Sequence, residues 1–232
     1  MKELLTRRDL DAGDLLALSD LVRFGVMADD QIARRYADPA LAFARLPLLK
    51  DGGVVFRWRE PLDTSRLYSP TSLGRHLVAL RGVDPRKTSE RHLAHDVTLV
   101  DLADHLVASD PTVQWLTERE VQAFLDRVAP PPQRLPGERT HRPDGLLLSR
   151  GERIGVELEH SDKYEQRYIR ISRWFVRESR LDRVRWYVDN PRIVARLMQV
   201  NSEHGFDRDM QIEIAPFPLG VAMRRRPGPI DP

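Results

Sequence analysis

Three carboxylates in the second half of the chain have the types and spacing for phosphate chemistry. Asp144 lies in His141-Arg142-Pro143-Asp144-Gly145; Glu157 and Glu159 lie in Ile154-Gly155-Val156-Glu157-Leu158-Glu159. Leu146-Leu147-Leu148 and the apolar residues leading into Glu157 read as short buried strands. Ser149-Arg150-Gly151-Glu152 between them is polar and contains Gly, which suits a hairpin turn. Two paired strands would bring Asp144 beside Glu157, and Glu157 and Glu159, two apart, would share one face. Three converging acids suit a hard cation such as Mg²⁺, with Asp144 and Glu157 as its ligands. In phosphodiester cleavage that ion polarises the phosphate and activates water. The competing reading is that acids at strand ends are solvated or paired with Arg, which is abundant here.

The chain that must position these groups has 232 residues, enough for two modest domains or one large one. It is 41% hydrophobic and 31% charged, the balance of a globular protein. Its longest apolar runs fall well short of the roughly 18 residues needed to cross a membrane. Met1-Lys2-Glu3-Leu4-Leu5-Thr6 lacks the basic region and apolar core of a signal peptide. There is no cysteine, which excludes disulfides and thiolate metal sites and fits a cytoplasmic location. Formal charge is only +2, but 33 of the 37 basic residues are Arg. Arg matches phosphate and guanine edges, although a GC-rich genome would give the same bias.

Residues 1–82 read as a first unit. Thr6-Arg7-Arg8-Asp9 has capping-box spacing and opens a helix that Leu15, Leu16, Leu18 and Leu21 continue. Ala28 to Tyr36 is a short helix with acids first and Arg last. Asp38-Pro39 caps and starts a third, which Pro47 should end or kink. Gly52-Gly53 turns the chain into a strand, Val54 to Arg59, and Arg66 to Pro70 returns. Thr71-Ser72 caps a last helix. That order is a winged helix-turn-helix, whose third helix would enter the major groove of double-stranded DNA. Candidate DNA contacts are Arg34, Arg35, Arg45 and Lys50 on or after the helices, and Arg57, Arg59 and Arg66 on the wing. Arg57 and Arg59 share a strand face, which suits tracking phosphates. The alternative is a winged helix used for dimerisation.

Residues 83–110 read as a connector whose helix carries Leu93, Val97, Val100, Leu102 and Leu106, an apolar row that could pair with its copy in a homodimer. His92, His95 and His105 on it lack a convincing third metal ligand. Residues 111–218 form a second unit. Trp115 marks a strand, Thr117 to Leu125 a helix, and Pro130 to Gly137 an irregular loop. The two acidic strands follow. Tyr164, Tyr168, Ile171 and Phe175 line the buried side of a helix. Arg183–Val188 is a strand, Asn190-Pro191 starts a helix, and Gln211–Ala215 is a final strand. The expected class is α/β overall (α+β), with a mixed sheet flanked by helices. Residues 219–232 read as a basic disordered tail.

On these residues the chain resembles a known family. Tyr68-Ser69-Pro70-Thr71 is similar to the closing helix start of winged-helix modules. Asp followed by Glu-x-Glu, then helix, strand, helix and strand, resembles the PD-(D/E)xK nuclease core. Together they resemble the replication-relaxation family of plasmids and phages. The resemblance matches Pro143-Asp144-Gly145 to the first motif and Glu157-Leu158-Glu159 to the second. It implies catalytic roles for Asp144, Glu157 and Glu159. The nuclease pattern wants Lys where Glu159 stands. The residue aligned with a lysine migrated to the next helix is Arg170, with Trp174 as the following aromatic; Lys163 is the other candidate. Arg supplies charge but accepts no proton.

Three functional readings follow. One is a DNA-binding protein of mobile elements, serving replication, transfer or transcription control, whose nuclease-like domain is degenerate. A second is a Mg²⁺-dependent endonuclease. A third is an interaction module of a replication or conjugation complex.

Overall fold

The computed structural model describes residues 5–59, 61–62, 64–85, 88–132, 141–219, 221 and 224. It is mixed α/β, and the chain divides into two units. One is Met1–Asp101 with Ala222–Pro232, the other Leu102–Val221. Among the described residues no helix is long and apolar enough to cross a membrane.

In unit 1 the Thr6 capping box exists, but it closes only a 3₁₀ turn, Arg7–Asp9: the Thr6 N–H and hydroxyl both donate to Asp9 Oδ2 at 2.7 Å. A second box then opens helix α1, Ala12–Phe24, with the Asp14 N–H donating to Asp11 Oδ1 at 2.8 Å. Gly25, at φ 91°, ends α1 in the left-handed conformation that glycine tolerates. Strand β1, Met27–Ala28, follows, too short to leave a periodic signal. Helix α2 spans Asp29–Ala33, and α3, Pro39–Asp51, is capped by Asp38.

Pro47 does not end α3, which continues to Asp51. Pro47 and Phe43, whose carbonyl loses its helical donor, are both exposed, so water can serve that carbonyl. Buried Leu46 and Leu49 hold the turn from the other side.

Strands β2, Val55–Arg57, and β3, Leu67–Pro70, form a hairpin, and β1 adds on the far side of β3 to give the sheet order β1-β3-β2. Helix α4, Ser72–Val78, is capped by Thr71. Leu18, Leu21, Ile32, Leu46, Leu49 and Leu77 make the main core. Helix α5, Leu93–Ser109, contains the boundary between the units. Its Leu93 and Val97 pack with Val26, Leu62 and Leu67, and Val100 joins the main core. That part of the apolar row is therefore consumed within the chain and is not left for a second copy.

Unit 2 is a five-stranded sheet, β4-β5-β6-β7-β8, formed by Gln114–Thr117, Gly145–Ser149, Glu152–Glu159, Arg183–Val188 and Gln211–Ala215. The first three strands pair antiparallel and the last three parallel, so the sheet is mixed as expected. Helix α6, Glu118–Val128, precedes β5; α7, Glu165–Arg177, and α8, Pro191–Glu203, connect the parallel strands; α9, Phe206–Asp209, leads into β8. Tyr168, Ile171 and Phe175 on α7 are buried with Trp186. Tyr164 is 66% exposed, since it is the N-cap and lies before the buried face begins. The expected loop Pro130 to Gly137 lies outside the described residues from residue 133 onward.

Candidate functional site

Ser149 pairs with Glu152, leaving Arg150 and Gly151 as a two-residue turn with φ of 50° and 85°. That is the turn whose twist suits a hairpin. Gly145 pairs with Val156, so the same register carried one step further sets Asp144 opposite Glu157. The Asp144 carboxylate caps the strand end, with Oδ2 accepting the Leu158 N–H at 2.8 Å. β6 lies at the centre of the sheet, and both Glu157 and Glu159 are almost fully buried. Glu157 pairs across the parallel ladder with Trp186, and Trp186 packs edge-on against Tyr168 and Phe175 of α7.

Burial pushes the Glu157 carboxyl up to about 7; the negative charge of Asp144 adds to this, while His141 and Lys163 oppose it. The Glu159 carboxyl is also raised, by burial first and partly offset by Lys163. Each acid has a partner from the chain. His141 Nε2 stands 2.7 Å from Glu157 Oε1. Lys163 Nζ forms a close ion pair with Glu159, and Ser161 donates to the same carboxylate.

Lys163 is held in place from two helices. The Tyr168 hydroxyl accepts the Lys163 N–H at 3.1 Å and donates to the Ser161 carbonyl at 3.5 Å. Arg196 on α8 donates to the Lys163 carbonyl at 3.1 Å and to Asp162 at 2.7 Å.

Asp144, Glu157, Glu159 and Lys163 are thus brought together. Arg170 is not: it lies on the exposed side of α7, between buried Ile169 and Ile171, and no described contact joins it to the acids. Trp174 is half-buried and touches the group through His141, with ring centroids 5.4 Å apart. His141 is the member that spacing did not assign. Burial alone would lower its pKa, but the Glu157 charge and hydrogen bond, with Asp144 behind them, raise it. The one available sign was a histidine three residues before Asp144, followed by Arg142, which Pro143 biases towards an extended backbone.

Burial, more than crowding, pushes Glu157 towards neutrality, with the Asp144 charge adding to it, and these two carboxylates are of the type a hard cation takes. Among the described residues, no three His, Asp or Glu side chains are arranged around one point as metal ligands. Asp144 and Glu157 would be the protein ligands, with water completing the shell as Mg²⁺ prefers.

The basic candidates of unit 1 separate into two groups. Arg34 pairs with Asp101 at 2.6 Å and Arg35 with Asp20 at 2.7 Å. Arg45 forms a close ion pair with Asp14, which also accepts the Tyr36 hydroxyl at 2.7 Å. Burial would lift the Asp14 carboxyl, but Arg45, Tyr36 and the Asp11 N–H together hold it below the usual carboxylate range. These three arginines serve the unit's own carboxylates rather than standing ready for phosphate. Lys50, Arg57, Arg59 and Arg66 are exposed, and among the described residues no hydrogen bond or ion pair engages their side chains.

Arg57 is the last residue of β2 and Arg59 lies in the bend just after it; both are exposed. Phe56 and Trp58 have ring centroids 5.3 Å apart, and Trp58 Nε1 donates to Ser69 Oγ at 2.9 Å. The expected basic tail contributes Arg224, which is fixed in unit 1 by Asp30 and Asp101; Arg225 and Arg226 lie outside the described residues.

No protein-family model matches the chain, and no curated protein matches it.

Proposed function

We propose that this protein binds double-stranded DNA through unit 1, acting as a winged helix-turn-helix, and that unit 2 is a nuclease-like α/β domain. The observation that carries this reading is the hairpin β2–β3, which carries Arg57 at the end of β2, Arg59 just beyond it and Arg66 on the returning chain, all exposed. The order helix, strand, helix, helix, strand, strand, with sheet order β1-β3-β2, supports it. The contact is mainly to phosphate, because α3 turns Leu41, Phe43 and Leu48 outward rather than a row of cations. The likeness of Pro143-Asp144-Gly145 and Glu157-Leu158-Glu159 to the replication-relaxation pattern is the reason for the context: replication, transfer or transcription control of plasmids or phages in the cytoplasm, with a homodimer on a two-fold site. A salt-titrated gel shift on random duplex tests it. Affinity should fall steeply with salt, and Arg57→Ala with Arg59→Ala should weaken binding on all sequences and reduce the salt slope by about 2. A chain that binds no duplex at low salt ends this reading in favour of an interaction module.

A second reading is favoured by Lys163, which reaches the acids from four residues beyond Glu159. In it unit 2 is a metal-dependent endonuclease. Asp144 and Glu157 would hold Mg²⁺, which would supply Lewis-acid polarisation of phosphate and water. Glu159 fixes Lys163, and Lys163 supplies positive charge beside the phosphate. Nicking assays with Mg²⁺ and Mn²⁺ separate the readings: wild type cleaves while Asp144→Ala and Glu157→Ala do not. No cleavage with either metal removes it.

A further inference from the structure

Arg224 is bound within unit 1. The Arg224 N–H donates to Thr98 Oγ1 at 3.2 Å, and its Nε to Asp101 Oδ2 at 3.0 Å. Its Nη2 reaches Asp30 Oδ2 at 2.5 Å, and its Nη1 reaches Asp30 Oδ1 at 3.3 Å and Ser65 Oγ at 3.1 Å. The Ser65 hydroxyl donates in turn to Asp30 Oδ1 at 3.2 Å. Burial disfavours the charge, but the two carboxylates more than compensate. A planar guanidinium with a rigid fork is suited to bridging two carboxylates, and the Arg224 side chain is only 17% exposed.

These partners lie where the hairpin is anchored. Ser65 and Leu62 exchange backbone hydrogen bonds at 2.9 and 3.1 Å, and Leu62 is buried. The Arg66 carbonyl accepts the Asp29 N–H at 2.9 Å, tying the returning strand to the start of α2. Asp101 also pairs with Arg34 of unit 1. One side chain thus joins the hairpin loop, α2 and α5. Without it, Asp30 and Asp101 keep only Arg34 as a shared cation, and the link to Ser65 in the loop that leads into Arg66 is lost.

We propose that Arg224 is a positioning residue for DNA binding: a C-terminal strap that fixes the base of the hairpin and so sets the pose of Arg57, Arg59 and Arg66. This rests on the DNA-binding reading of unit 1. A hairpin already held in one pose loses less freedom when it meets the phosphate backbone, so the strap acts on affinity without touching DNA.

The test uses the full-length chain with Arg224→Ala and Arg224→Lys. Trypsin cleavage after Arg57, Arg59 and Arg66, mapped by mass spectrometry, reports the hairpin without any DNA. It should rise on the order of 10-fold in Arg224→Ala while circular dichroism stays native, because local opening sets the cleavage rate. Arg224→Lys, which keeps charge but loses the fork, should fall between. Duplex affinity should drop several-fold with an unchanged salt slope, because no phosphate contact is lost. Unchanged cleavage in a chain that binds duplex overturns the strap. A slope lowered by about 0.9 overturns it too, by making Arg224 itself a phosphate contact. A wild-type chain that binds no duplex, with cleavage still raised in Arg224→Ala, overturns the DNA reading and leaves the strap as a brace.

Discussion

His141 Nε2 lies 2.7 Å from Glu157 Oε1, so a buried acid and a half-buried base stand within hydrogen-bond distance in unit 2. Both hold protons more tightly folded than unfolded: Glu157 is raised from 4.5 to about 7, and His141 is raised above 6.5. The stability they contribute is therefore full at low pH and is lost as pH rises through the folded values. Asp14 and Asp30 run the opposite way, since their lowered pKa values cost stability only as pH falls below about 4. Tm should be highest near pH 5 and decline towards pH 8. Glu157→Gln, which cannot lose a proton, should flatten that decline, as thermal melts across the range would register; an equally steep decline would refute the assignment.

Under the endonuclease reading, Lys163 and Arg170 are distinguishable by position. Lys163→Ala should reduce nicking on the order of 10²-fold, the scale of one lost charge-stabilising group. Arg170→Ala should leave it within about two-fold, because Arg170 is exposed and no described contact joins it to the acids. Equal losses would return Arg170 to the site.

Arg45 separates folding from DNA contact. Arg45→Ala should destabilise unit 1 by about 3 kcal/mol, because buried Asp14 loses its cation. The salt slope for DNA should not change. Urea titration and gel shift on the same preparation check both halves; a lower slope at unchanged stability would mean that Arg45 meets phosphate after all.

Gly145 tests the floor beneath Asp144. A methyl group there would meet the Trp115 ring at 2.2 Å, and Trp115 is buried. Gly145→Ala should cost about 1–3 kcal/mol through overpacking, measured by denaturant melting. A neutral result would mean that the Trp115 ring swings away freely.

What could be read in advance follows from periodicity and punctuation. The acidic hairpin was legible because its strands are apolar runs separated by Arg150-Gly151, and helices α3, α4 and α8 because Asp38, Thr71 and Asn190 cap them. Two-residue β1 was not, since it exists through pairing with Tyr68 and Leu67, a long-range contact. The part played by His141 was hidden for the same reason: its partner is 16 residues away. Arg34, Arg35 and Arg45 looked like Arg57 in the sequence, because type and helix position say nothing of a carboxylate packed alongside. Pro47 does not end α3, which presents it to water.

The turn at Arg150-Gly151 also bears on what lengths this chain can tolerate. Successive residues of a strand alternate sides, so one residue inserted there would slide β5 by a single step along β6. Asp144 would then look away from Glu157, and Leu146 would exchange places with its neighbours. Descendants of this sequence can change many letters around the hairpin, but a lone insertion or deletion in its bend would scatter the acids while leaving every one of them in the gene.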